Sequence, residues 1–125
     1  MGRIRTNIDI NGRPCWTLFD SGARNNYILR NVANGLVVFD LPVAKSTALG
    51  GREHKLEKAC FVMAQVENHW IEFHANLIDE IGKDEDGREI EVLIGALAMQ
   101  EWGMRLDLPN ERLDFSHYTR DFVEF

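Results

Sequence analysis

The sequence predicts an all-β fold, a small barrel with one short helix near its C-terminal end. Three observations carry this. Short runs of alternating apolar and polar residues dominate the chain. Turn signals built on Gly, Asn, Pro and Asp recur at short spacing between those runs. One stretch, 96–102, reads as a helix, and there is no internal repeat or low-complexity linker.

Ile4, Ile8 and Ile10 share one face of a first strand, with Arg3, Arg5, Asn7 and Asp9 on the other. Asn11-Gly12 then signals a hairpin, since both central residues of a type I′ turn need φ > 0. The return strand, Arg13 to Phe19, delivers Asp20 to a turn that Gly22 lets bend sharply. Tyr27, Ile28, Val32 and Leu36 suggest a short strand and then a helical turn, closed by Asn34-Gly35. Val37-Val38-Phe39 reads as another strand, and Pro42 either ends it or begins the next. Val43 to Val66 forms a long hairpin around Leu49-Gly50-Gly51-Arg52.

Leu56, Cys60, Val62, Ala64 and Val66 lie on one strand face; after a turn at Glu67-Asn68-His69, so do Ile71, Phe73, Ala75 and Leu77. Asp79 to Glu91 is a polar, acidic surface loop. Asp84 and Asp86-Gly87 hint at a calcium loop, but the spacing fails: with Gly87 at the sixth position, Leu93 stands where the bidentate Glu belongs. Val92-Leu93-Ile94 is a continuous apolar run, hence a strand buried on both faces. Gly95 breaks it, Ala96 to Trp102 is the helix, and Gly103 stops that helix at its C′ position. Met104, Leu106 and Leu108 alternate, Pro109-Asn110-Glu111 turns the chain, and Leu113 and Phe115 continue the alternation. Ser116 to Phe125 mixes charge and aromatics; it is either a dangling tail or a strand that pairs with a second copy.

The 125 residues make one domain, and 45% hydrophobic content supports a modest core. A net charge of −6 and a pI of about 5.1 argue against nucleic acid or an anionic membrane as partner. No apolar run approaches the ~18 residues of a membrane span, and no signal-peptide pattern opens the chain. Residues 1–6 formally fit an N-myristoylation pattern, but they already alternate as a strand. Cys15 and Cys60 are too few for a disulfide scaffold and read as core thiols in a reducing, cytoplasmic setting. The four histidines show no ligand pattern and no Cys-x-x-Cys occurs, so neither a metal nor another cofactor is expected.

The chemistry concentrates at Asp20. Two apolar residues run into an acid, a hydroxyl, a glycine and a small residue, Leu18-Phe19-Asp20-Ser21-Gly22-Ala23. A carboxylate at the end of a hydrophobic strand, followed by Gly, suggests catalysis. Ser21 has no His or Lys nearby in sequence to make it a nucleophile.

This stretch, followed by Val92-Leu93-Ile94-Gly95, resembles the retropepsin-like aspartic proteases, the single-lobe group that includes the retroviral enzymes. The resemblance spans Ile4 to Phe115, which sets 1–115 as a protease domain and 116–125 as a tail. It implies a small closed acid-protease barrel, a homodimer and hydrolysis of peptide or protein substrates. Such hydrolysis needs two carboxylates sharing one water, and two acids about 3 Å apart cannot both ionise, as is known for aspartic proteases. Asp-Ser/Thr-Gly occurs once here, so a second copy must supply the partner of Asp20.

The resemblance further assigns Ser21 a hydrogen bond across the dimer axis, Gly22 the turn and Ala23 the space beside the acid. Leu93, Ile94 and Gly95 pack under the turn. Leu49, Gly50 and Gly51 form a flap, against the plainer reading of an ordinary β-turn. Tyr27, Ile28 and Leu97 are subsite candidates. The chain departs from retroviral members at Arg24, where an acid usually follows Gly-Ala, and at Leu97, where Asp or Asn is common. Its leader strand is also short. The rival reading is a non-catalytic module that keeps the barrel for protein interaction.

Overall fold

The computed structural model describes residues 2–119. Strands β1 (Arg3–Ile10) and β2 (Arg13–Asp20) form the expected hairpin. The short β3 (Tyr27–Leu29) precedes the long β4 (Val37–Leu49), β5 (Arg52–Val66) and β6 (His69–Ile78). Then come β7 (Val92–Ile94), helix α1 (Ala96–Trp102), β8 (Arg105–Asp107) and β9 (Arg112–Asp114). Seven strands make one sheet in the order β1-β2-β7-β3-β6-β5-β4, and β8-β9 form a separate two-stranded sheet. Strand β1, at one end of that order, also pairs with the penultimate strand β5 at one position, Asp9 with Gln65, which leaves β4 at the edge. Among the described residues, no helix is long and apolar enough to cross a membrane.

The alternating patterns fold as their period dictates. Ile4, Ile8 and Ile10 are buried, as are Cys60, Val62, Ala64 and Val66 on β5 and Ile71, Phe73, Ala75 and Leu77 on β6. Val92, Leu93 and Ile94 are all buried because β7 lies inside the sheet, parallel to β2 and antiparallel to β3. Most boundaries fall within a residue or so of the sequence reading, and β4 departs from it further. The chain from Val37 to Leu49 is a single strand that runs through Pro42, while its pairing with β5 lapses between Asp40 and Lys45. Proline donates no ladder hydrogen bond, and β4 is the sheet's edge strand, where the lapse is tolerated. Two predicted strands therefore join into one.

Residues 29–33 make the single helical turn, with the Val32 and Ala33 N–H groups both donating to the Leu29 carbonyl. The 79–91 loop is pinned to the first hairpin. Trp16 Nε1 donates to Asp84 at 3.0 Å, the Arg88 guanidinium sits 4.1 Å above the Trp16 ring, and Arg13 pairs with Glu91. After β9 the chain turns back on itself. Phe115 stacks on His69 at 4.0 Å, and Tyr118 donates to the Trp70 carbonyl. Tyr118 is thus anchored on its own chain, and the rest of the expected tail from 120 to 125 lies outside the described residues.

Candidate active site

Asp20 is the last residue of β2, and its side chain is 9% exposed. Its Oδ1 accepts a hydrogen bond from the Gly22 N–H at 2.8 Å. Its Oδ2 lies 3.4 Å from Arg3 Nε. The hairpin sets that pairing, because the two-residue turn at Asn11-Gly12 puts Arg3 directly across from Asp20. The Ala23 N–H donates to the Asp20 carbonyl, closing the turn. Beneath it, Leu93 and Ile94 pair with Leu18 and Phe19.

Gly95 shows how tight this base is. A Cβ there would stand 2.5 Å from the Asn25 carbonyl oxygen and 2.8 Å from that of Ala23. The demand is for space and not for a special backbone angle, since Gly95 has φ −96°. The Ala96 N–H then donates to the Ala23 carbonyl at 2.7 Å, so α1 begins directly against the turn. Asn26, which the sequence reading passed over, ties the parts together: its Oδ1 accepts from the Gly95 N–H at 2.9 Å, and its Nδ2 donates to the His74 carbonyl at 2.9 Å.

Ser21 is engaged within its own chain. The Gly2 N–H donates to Ser21 Oγ at 3.0 Å, while the Ser21 hydroxyl faces the Gly2 carbonyl at 3.3 Å. The Ser21 N–H also donates to that carbonyl. Gly2 in turn lies under Leu106 and Leu108, which would stand 3.0–3.1 Å from a Cβ placed on it. The β8 segment therefore borders the Asp20 turn.

The candidate flap is the end of the β4–β5 hairpin. Leu49 pairs with Arg52 across Gly50 and Gly51, which take φ +61° and +78°. Gly50 lies close to the Ile81 carbonyl, and Arg52 pairs with Glu80, so the hairpin end leans toward the 79–91 loop. The subsite candidates separate. The Tyr27 hydroxyl shares a 3.1 Å hydrogen bond with Thr47 on β4. Leu97 is half-exposed on α1, and Ile28 is fully buried in the core.

Elsewhere, burial pushes the Cys15 and Cys60 thiols up to about 11, with the Glu91 carboxylate as a second cause at Cys15. Among the described residues, no group of three or more His, Cys, Asp or Glu is placed to hold a metal ion.

No family model matches the chain, and no curated protein matches it. Solved structures do. The retroviral protease-like domain of Ddi1 from Leishmania major superposes with a TM-score of 0.65 at 18% identity, covering 93% of this chain and 90% of that one. EIAV protease, solved in complex with an inhibitor, gives a TM-score of 0.54 at 20% identity over 86% of this chain and 94% of its own. The fold is retropepsin-like. Within that retropepsin-like frame Asp20 is a nearly buried carboxylate on a turn braced from below by β7, Gly95 and Asn26.

Proposed function

We propose that the chain is an aspartic endopeptidase that works as a homodimer, with one Asp20 from each copy, on peptide or protein substrates. The observation that supports it most is the Asp20 turn itself: a carboxylate with one oxygen fixed by the Gly22 N–H, on a backbone that Gly95 and Asn26 brace. One such carboxylate per chain calls for a two-fold axis passing beside it. One acid of the pair takes a proton from water while the other, protonated, polarises the scissile carbonyl. The Gly50-Gly51 backbone closes over the substrate, with Leu49 beside it. The face that meets the second copy includes Gly2, Leu106 and Leu108, which border the turn. The β8-β9 pair is part of this face and has no third strand among the described residues. Two free, buried thiols suit a reducing, cytoplasmic setting.

A second reading, a non-catalytic retropepsin-fold interaction module, is favoured by a separate observation. Arg3 already faces Asp20 Oδ2, and Gly2 already occupies the Ser21 hydroxyl, so both polar side chains of the motif have partners without a second copy. Cleavage of a peptide library across pH, with and without pepstatin, separates the two. The endopeptidase reading expects cleavage that pepstatin and Asp20→Asn both abolish. An absence of cleavage by the unaltered chain at every pH would leave the interaction module.

A further inference from the structure

A groove of about 560 Å³ lies between the outer face of β4–β6, helix α1 and the loop that follows the Asp20 turn. Strand register builds its floor. Phe39 stands opposite Ala59, Ala59 opposite Asn76, and Phe61 opposite His74. These side chains share the face turned away from the buried Cys60, Val62 and Ala75. Leu41 and, from α1, Leu97 complete an apolar floor. The His74 ring sits edge-on to Phe39 at 5.7 Å and to Phe61 at 5.5 Å. Phe39 is 40% exposed and Leu97 49%, so this apolar surface is open.

Charge is ordered along the groove. At one end stand Arg24, in the loop leaving the Asp20 turn, and Lys45, on the strand that leads to Gly50. The Asn76 N–H donates to the Asn26 carbonyl, which fixes that end of β6 against the same loop. Glu72 lies back along β6 from Asn76 by roughly 13 Å at ~3.3 Å per residue. Glu101 is near the C-terminal end of α1. Trp102 Nε1 donates to the Glu72 carbonyl at 2.9 Å, so the two acids mark the same far end. The groove is basic beside the Asp20 turn, apolar along its length, and acidic at its other end.

We propose that this groove seats the flank of an extended polypeptide substrate: an apolar stretch with an acidic side chain next to the catalytic cleft and a basic one farther out. The inference rests on the endopeptidase reading. A chain crossing Asp20 beneath the Leu49–Gly51 turn leaves the cleft beside Arg24 and Lys45, at the basic mouth of the groove. The floor gives apolar contact, and the ordered charges select the direction in which the flank lies.

The test uses peptides of equal length sharing one cleavable centre, extended on either side by an acidic–apolar–basic flank or by its reverse. The matched flank is expected to lower KM about tenfold with kcat unchanged. Glu72→Lys/Glu101→Lys, at two exposed positions, is expected to remove that preference, and a flank acidic at both ends to restore tight binding to the variant. A short peptide spanning only the cleft separates two failures in the unaltered chain. If it is not cleaved, the endopeptidase reading fails, and the groove is then judged by fluorescence anisotropy of the labelled flanks, with the same tenfold preference expected. If it is cleaved while the flanks make no difference, the groove proposal is overturned. Flank binding that appears only on dilution of the chain would give the groove to a second copy. Binding that appears only after removal of residues 120–125 would give it to the chain's own end; either result overturns the proposal.

Discussion

Gly95→Ala tests whether the base of the Asp20 turn is as closely fitted as its geometry indicates. The added methyl would lie 2.5 Å from the Asn25 carbonyl oxygen and 2.8 Å from that of Ala23, where ordinary contact begins at 3.4 Å. The closest approach must therefore open by roughly 0.9 Å. The obstructing atoms are backbone, so no side-chain rotation relieves them. Opening the gap pulls on the Ala96–Ala23 and Gly95–Asn26 hydrogen bonds that join β7 and α1 to the turn. Overpacking of this kind costs about 1–3 kcal/mol. For a chain of this size that lowers the midpoint of thermal unfolding by about 4–12 °C. A turn displaced by nearly an ångström should also lose cleavage on the order of 100-fold. Gly12→Ala is the control, since a Cβ there meets nothing and the residue lies at the far end of the first hairpin. It bears only the left-handed backbone cost of about 1–2 kcal/mol and should keep its activity once folded. A Gly95→Ala protein with the thermal midpoint and cleavage rate of the unaltered chain would refute the reasoning.

Three further outcomes are expected. In two copies joined by a flexible linker, Asp20→Asn in one copy should abolish nearly all cleavage, because the two acids act as a unit and their losses do not add; retention of about half the rate would mean that each Asp20 works alone. Arg3→Met should cost less than about 1 kcal/mol in denaturant unfolding, because the Arg3 side chain is 59% exposed; a loss of about 2 kcal/mol or more would make the pair with Asp20 structural and favour the interaction module. The two thiols should make stability fall in alkali. Their folded pKa of about 11 stands above the ordinary 9.0, so the unfolded chain releases protons that the folded one keeps. The contribution is intact below pH 9 and is lost as pH rises toward 11; Cys15→Ala/Cys60→Ala should flatten that decline, and parallel unfolding curves for the two proteins would count against it.

Much of the fold is written locally. A period-two pattern specifies a strand and its buried face wherever it occurs, which is why Ile4, Ile8 and Ile10, or Cys60, Val62 and Ala64, are legible without any partner in view. Asn11-Gly12 fixes a two-residue turn, and counting back from that turn sets Arg3 opposite Asp20. The Asp20-Ser21-Gly22 stretch announces the turn, and the apolar run of Val92 to Ile94 announces a strand buried on both faces.

What the tertiary structure decided lies in contacts between segments far apart along the chain. No local period tells Asn26 to hold both Gly95 and His74, or tells β7 to enter between β2 and β3. The continuity of β4 through Pro42 follows from its place at the sheet's edge, and a strand's place in a sheet is a property of the whole topology. Ser21 finds Gly2 because β1 carries the start of the chain back beside the turn. The ordered charges of the groove come from a loop, two strands and a helix, and acquire a direction only when packing aligns those elements. A residue's pattern with its near neighbours determines which face it buries; which distant group it meets depends on how the elements pair and pack.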